Sequence, residues 1–116
     1  MKSHKDLIVW QKSLEHVVAI YVATRAFPKE ELFGIVSQMR RAAVSIPSNI
    51  AEGYGRAYEK ETSKFLSNAL GSASELETQL IISKDLGFIP VQSAQSLLGQ
   101  IEEIIRMLSA LIKSTK

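Results

Sequence analysis

Apolar residues recur along this chain at alternating steps of three and four, the spacing that lines one face of an α-helix. Leu7, Trp10, Leu14, Val17 and Tyr21 follow it first, with Val18 widening the stripe. The pattern predicts a helix from about Asp6 to Arg25, with Asp6 as its N-cap and an end imposed near Pro28. Phe27-Pro28-Lys29-Glu30-Glu31 reads as a tight connection, in which Pro28 suits the first turn of the next helix and the two acids favour its N-terminal dipole. Leu32, Val36, Met39, Ala43, Ile46 and Ile50 then keep phase through Pro47. That continuity predicts a kinked second helix to about Gly53, although an interior proline costs about 3 kcal/mol; a break at Pro47 is the alternative.

Leu66, Ala69, Ala73, Leu76 and Leu80 mark a third helix from about Glu59 to Asp85, stopped by the glycine signal Leu86-Gly87. Its run of small side chains from Ala69 to Ser74 suits a close packing contact. The fourth helix spans Ala94 to Ile112, where Leu97, Leu98, Ile101, Ile104, Ile105, Leu108 and Leu111 form a wide stripe suited to burial against several neighbours. No segment alternates with a period of two, and no internal repeat is present. Short connections between successive helices favour an all-α, up-down-up-down four-helix bundle, with residues 1–116 as a single domain.

Composition narrows the chemistry. The 116 residues are 46% hydrophobic, enough for one core, and contain no cysteine, which excludes a disulfide scaffold, a thiolate metal site and a cysteine nucleophile. The polar start, Met1 to Asp6, resembles neither a signal peptide nor a membrane span, so a cytoplasmic protein without membrane contact is expected. Fourteen basic residues against twelve acidic ones leave a net charge of +2, too small to argue nucleic-acid binding by itself.

The second helix has another ordered face. Gln38, Arg41, Ser45, Ser48, Asn49 and Glu52 fall on one contiguous arc beside the apolar seam. A solvated face with i,i+4 pairs such as Arg41 with Ser45 and Glu52 with Arg56 is one reading. Ser, Asn and Gln fill a solvated helix less well than Lys and Glu, so contact with another helix or subunit is the other. Catalysis finds little support. Ser45 and Ser48 have no histidine near in sequence, His4 reads as a terminal polar residue and His16 as a helix-face residue, and neither sits in a ligand cluster. Glu75 and Glu77 point to different faces, and Gly53-Tyr54-Gly55-Arg56 lacks the partners of a phosphate-cradling loop, reading instead as a helix end and turn. No catalytic residue, metal or cofactor is therefore expected. Arg40, Arg41, Arg56, Lys60 and Lys64, with Tyr54 and Tyr58 among them, could grip a nucleic acid around the joint of helices two and three. Eight basic residues face five acidic ones through Tyr58, and six face seven beyond it. Glu52, Glu59 and Glu61 in the same stretch oppose such binding.

Several segments resemble a known family. They are Leu7-Ile8-Val9-Trp10, Phe27-Pro28 with Glu31-Leu32-Phe33-Gly34, the stretch from Gln38 to Gly53 with its Gln-x-x-Arg-x-x-x-Ser-Ile-x-x-Asn-Ile-x-Glu-Gly spacing, and Phe65-Leu66, Ala69-Leu70-Gly71-Ser72 and Glu75-Leu76-Glu77. Together they are similar to the four-helix bundle proteins encoded in intervening sequences of 23S ribosomal RNA genes, also labelled S23 ribosomal proteins. The resemblance implies a cytosolic up-down bundle assembling as a ring-like homopentamer, without established enzymatic activity. It also implies a relation to the more basic accessory variability determinant proteins of diversity-generating retroelements, which bind nucleic acid and a reverse transcriptase. With it, Arg41, Ser45, Asn49 and Glu52 are expected to serve bundle or subunit packing, alongside Gln38. Arg40, Arg56, Lys60, Lys64, Tyr54 and Tyr58 are the candidates for contact with RNA or DNA. The expected function is that of a self-assembling helical module associating with RNA before DNA; a scaffold holding a protein partner, with no nucleic-acid contact, is the alternative.

Overall fold

A computed structural model describes residues 3–115, among which all regular structure is helical. Helix α1 spans Ile8–Thr24, α2 Ser37–Tyr54, α3 Glu59–Asp85 and α4 Val91–Ser114. Each packs on its neighbours in sequence and α4 closes back on α1, giving an up-down-up-down bundle within 43 × 24 × 20 Å.

The third helix takes the range its apolar spacing predicts. Its end is a Schellman turn, in which Phe88 N–H donates to the Ser83 carbonyl at 2.9 Å and Gly87 N–H to that of Lys84 at 3.1 Å. Gly87 has φ of +76°, a conformation glycine adopts without penalty. Helix α2 runs unbroken through the buried Pro47. Its entry differs from the expected single kinked helix. A 3-10 turn, Lys29–Glu31, follows Pro28, and a π-helical turn, Leu32–Val36, contains Gly34 at φ −107°, ψ −116°, outside helical values. Leu32 is consequently exposed instead of continuing the α2 seam. At the N-terminus Asp6 does not cap α1. Its carboxylate accepts from Ser3 N–H at 3.3 Å around a 3-10 turn, His4–Asp6, and Leu7 occupies the N-cap position of α1.

The predicted seams of α3 and α4 are the buried ones: Leu66, Ala69, Ala73, Leu76 and Leu80 on one side, Ala94, Leu97, Ile101, Ile104 and Leu108 on the other. In α1 the prediction fails. The fully buried positions are Val9, Ser13, His16, Ile20 and Thr24, whereas Leu14, Val18 and Tyr21 are exposed and Leu7, Trp10 and Val17 only half-buried. The more polar stripe faces the core because its polar groups find partners there. Ser13 Oγ donates to the Trp10 carbonyl and Thr24 Oγ1 to that of Ile20, both at 2.7 Å, so the hydroxyls close on their own helix.

His16 is therefore a core residue and not an exposed helix-face residue. Its Nε2–H donates to the Leu97 carbonyl of α4 at 3.1 Å, which leaves Nδ1 as a buried acceptor with no protein partner. Burial lowers the imidazole pKa from its ordinary 6.5, and the Leu97 bond only partly opposes this.

At the α2–α3 corner the helices nearly touch. A Cβ on Gly53 would stand 3.0 Å from Phe65 Cβ and 3.2 Å from the Thr62 carbonyl oxygen, and Thr62 Oγ1 donates to the Gly53 carbonyl at 2.8 Å. Gly53 thus lies inside α2 at its crossing with α3. Gly71, in the small-residue run of α3, is instead exposed, and beyond its own stretch of helix backbone nothing lies within 4 Å of where its Cβ would be.

Two measurements follow from these environments. Gly53→Ala should destabilise the protein by about 1–3 kcal/mol in urea unfolding through overpacking, and Gly71→Ala should stabilise it by up to about 1 kcal/mol through helix propensity. Equal effects would contradict the two assignments. For His16, the unfolded chain binds the extra proton between the lowered folded pKa and 6.5. Its stability contribution is full above about pH 7 and falls as pH drops through the unfolded value toward the folded one. A His16→Gln variant should lose that part of the pH dependence as pH drops below about 7; an unchanged profile would remove His16 as its source.

Candidate assembly face and nucleic-acid interface

Only two of the seventeen residues of α1, Lys12 and Glu15, belong to the charged set of Asp, Glu, Lys and Arg. Lys12 bridges to Glu103 on α4 at 2.9 Å. With Val9 and Ile20 buried on one side, Leu14, Val18 and Val22 form a second apolar stripe, at i, i+4 and i+8, on the side away from the core. Val18 is 64% exposed and Val22 53%. A helix normally turns its apolar side to a neighbour, and in the single chain this outer stripe has none.

The stripe borders a groove between α1 and α2 containing two hollows that share Val44 as a wall. The upper, of 620 Å³, lies among Tyr21, Leu32, Phe33, Ser37, Arg40, Arg41 and Ser45. The lower, of 280 Å³, lies among Trp10, Leu14, Val17, Pro47, Ser48 and Ala51. Phe33 stands at the head of the groove with 93% of its surface exposed. Hydrophobic periodicity alone missed this face, since it assigned Leu14 and Tyr21 to the core. The signals available in the sequence were the scarcity of charge along α1 and the breaker Gly34 beside Phe33.

The polar arc of α2 divides in two. Ser45 and Asn49 are half-buried toward α3: the Ser45 and Ser72 hydroxyls are 2.9 Å apart, and Asn49 Nδ2 donates to both the carbonyl and the Oγ of Ser45 at 2.9 Å. Gln38, Arg41, Ser48 and Glu52 are exposed, and Arg41 reaches the lip of the upper hollow. Arg41 does not pair with Ser45. Glu52 meets Arg56 at 3.4 Å, an i,i+4 ion pair on the surface worth a few tenths of a kcal/mol.

The candidate nucleic-acid residues separate as well. Arg40 lies 4.7 Å over the Tyr21 ring and donates from Nε to Thr24 Oγ1 at 3.0 Å. It is fourteen residues, or about 21 Å of helix, from Tyr54 at the other end of α2. The remaining five gather at the α2–α3 joint. Tyr58 is exposed, burial pushes the Tyr54 phenol pKa up, and Arg56 lies 4.9 Å over the Phe65 ring. Lys60 and Lys64, one turn apart on α3, are exposed and in no ion pair, with Glu59 and Glu61 exposed beside them. Among the described residues no group of three or more His, Cys, Asp or Glu is placed to hold a metal ion, and no helix is long and apolar enough to cross a membrane.

Comparison with known proteins fits this geometry. A crystal structure of a protein with unknown function from the S23 ribosomal protein family of Bacteroides thetaiotaomicron VPI-5482 superposes with a TM-score of 0.86 at 27% identity, covering 91% of this chain and 99% of that one. No curated protein matches the sequence. The model of the family described as 23S rRNA-intervening sequence protein matches residues 5–110, nearly the whole bundle, and the chain belongs to that family.

Proposed function

We propose that this protein is a non-enzymatic, self-assembling helical module of the cytoplasm, whose assembled form associates with RNA in preference to DNA. The observation that carries the reading is the second apolar stripe of α1, Leu14, Val18 and Val22, exposed beside an apolar groove. Exposed apolar surface of this extent marks an interaction site, and the homopentamer that the family resemblance implies favours a further copy of the chain as the partner. A non-enzymatic role is supported by the engagement of two of the side chains able to do chemistry: His16 is buried on the Leu97 carbonyl, and Ser45 is held with Asn49 in the α2–α3 seam.

Support for RNA comes from Lys60 and Lys64, exposed and unpaired beside Tyr58, a set that assembly would repeat once per subunit. The acids Glu52, Glu59 and Glu61 favour the competing reading, a scaffold that holds another protein and leaves nucleic acid alone.

Light scattering on the purified chain should give the mass of five 12.9 kDa subunits. Val18→Glu, which places a charge on the outer stripe, should reduce it to one subunit while leaving the helical circular dichroism intact. A wild-type monomer at all concentrations would overturn self-assembly. Titration with labelled structured RNA should show binding that weakens steeply with salt and weakens further in Lys60→Ala/Lys64→Ala; no binding at low salt would leave the scaffold reading.

A further inference from the structure

On a regular continuation of α2 toward its N-terminus, Phe33 would share the azimuth of Val44 and Ala51, eleven and eighteen residues on, and would lie along the α1–α2 groove. With Gly34 outside helical dihedrals, the ring instead stands at the edge of the upper hollow, 93% exposed. Leu32 is exposed beside it. The sequence thus places its most exposed aromatic side chain on a backbone break at the edge of an apolar face.

The same face offers a seat for such a ring. The lower hollow, of 280 Å³, has walls from Trp10, Leu14, Val17, Pro47 and Ala51, an aromatic, a proline and aliphatic groups that suit a phenyl ring and no charge. Phe33 cannot reach it in its own chain, since it lines the upper hollow at the other end of the groove. We infer that Phe33 of one copy seats in the Trp10–Leu14–Pro47 hollow of a second copy, making it the anchor of the contact between subunits. This rests on the self-assembly proposed above and assigns its central contact.

The extent of the face agrees with a second copy as occupant. Leu14, Val18, Tyr21, Val22, Leu32, Phe33 and Val44 together leave roughly 700 Å² exposed, above the largest patch of most monomers. Val44 separates the two hollows, so ring and seat lie apart along the groove, and each copy gives its ring to one neighbour and its hollow to another, the head-to-tail contact that a closed ring of five requires.

The cysteine-free sequence permits a direct test. Phe33→Cys and Ser48→Cys proteins, mixed and oxidised, should yield a cross-linked pair containing one of each, because Ser48 lines the lower hollow. Phe33→Cys joined only to itself, or no cross-link in a mixture that light scattering shows to be assembled, would overturn the seat. In parallel, Phe33→Ala should weaken self-association by about 30-fold or more, as expected for an interface anchor, without changing helical content. Ala51→Trp, which fills the hollow from within, should weaken it comparably. If the wild type assembles and Phe33→Ala assembles with the same concentration dependence, the seat is wrong and self-assembly stands; if the wild type is a monomer, the underlying reading fails with it.

Discussion

Helix α1 carries apolar side chains around more of its circumference than its neighbours in the bundle can cover. Val9 and Ile20 turn inward, Trp10 and Val17 lean on α2, and Leu14, Val18 and Val22 remain at the surface. The core side is the more polar one, with Ser13, His16 and Thr24 buried among the apolar groups. Burying a hydroxyl or an imidazole costs little only where hydrogen bonds are supplied, and here the backbone of α1 and the Leu97 carbonyl of α4 supply them for every group but His16 Nδ1. The helix thus turns its polar stripe inward and leaves an apolar one outward.

The rest of the bundle holds this arrangement in place. The α2–α3 corner is closed by Gly53 against Phe65 and by Thr62 bonding to the Gly53 carbonyl, while Ser45, Asn49 and Ser72 tie the same two helices farther along. On the other side, Arg40 clasps Thr24 and Tyr21 and so fixes the C-terminal end of α1 against α2. Two of the six polar-arc residues of α2, Ser45 and Asn49, are consumed in holding the bundle together. The other four, Gln38, Arg41, Ser48 and Glu52, are exposed.

The parts of the fold legible in the sequence were those in which each helix has a single apolar stripe. For α3 and α4 the most apolar face is also the covered face, so period and burial coincide at Leu66, Ala73, Leu80, Ile101 and Leu108. For α1 they part, because periodicity reports which face is apolar and says nothing of what covers it. Ser13 and Thr24 look like surface residues in a sequence, since their back-bonds to Trp10 and Ile20 exist only once the helix has formed. Gly34 marked a break, yet the direction in which it turns Phe33 is a tertiary fact. The charge cluster was partly legible: Lys60, Lys64 and Tyr58 do share the α2–α3 joint, whereas Arg40 is drawn to the opposite end of α2 by Tyr21 and Thr24.

On the proposed assembly, the outer stripe of α1 is a subunit interface and not a solvated surface. Hydroxyl-radical footprinting of the wild-type protein, at concentrations below and above assembly, reads it side chain by side chain. If the claim holds, Leu14, Val18, Val22 and Phe33 lose reactivity together as concentration rises, while the exposed Tyr58 and Leu86, outside the face, stay constant. Stripe residues that remain as reactive as Leu86 throughout would contradict it.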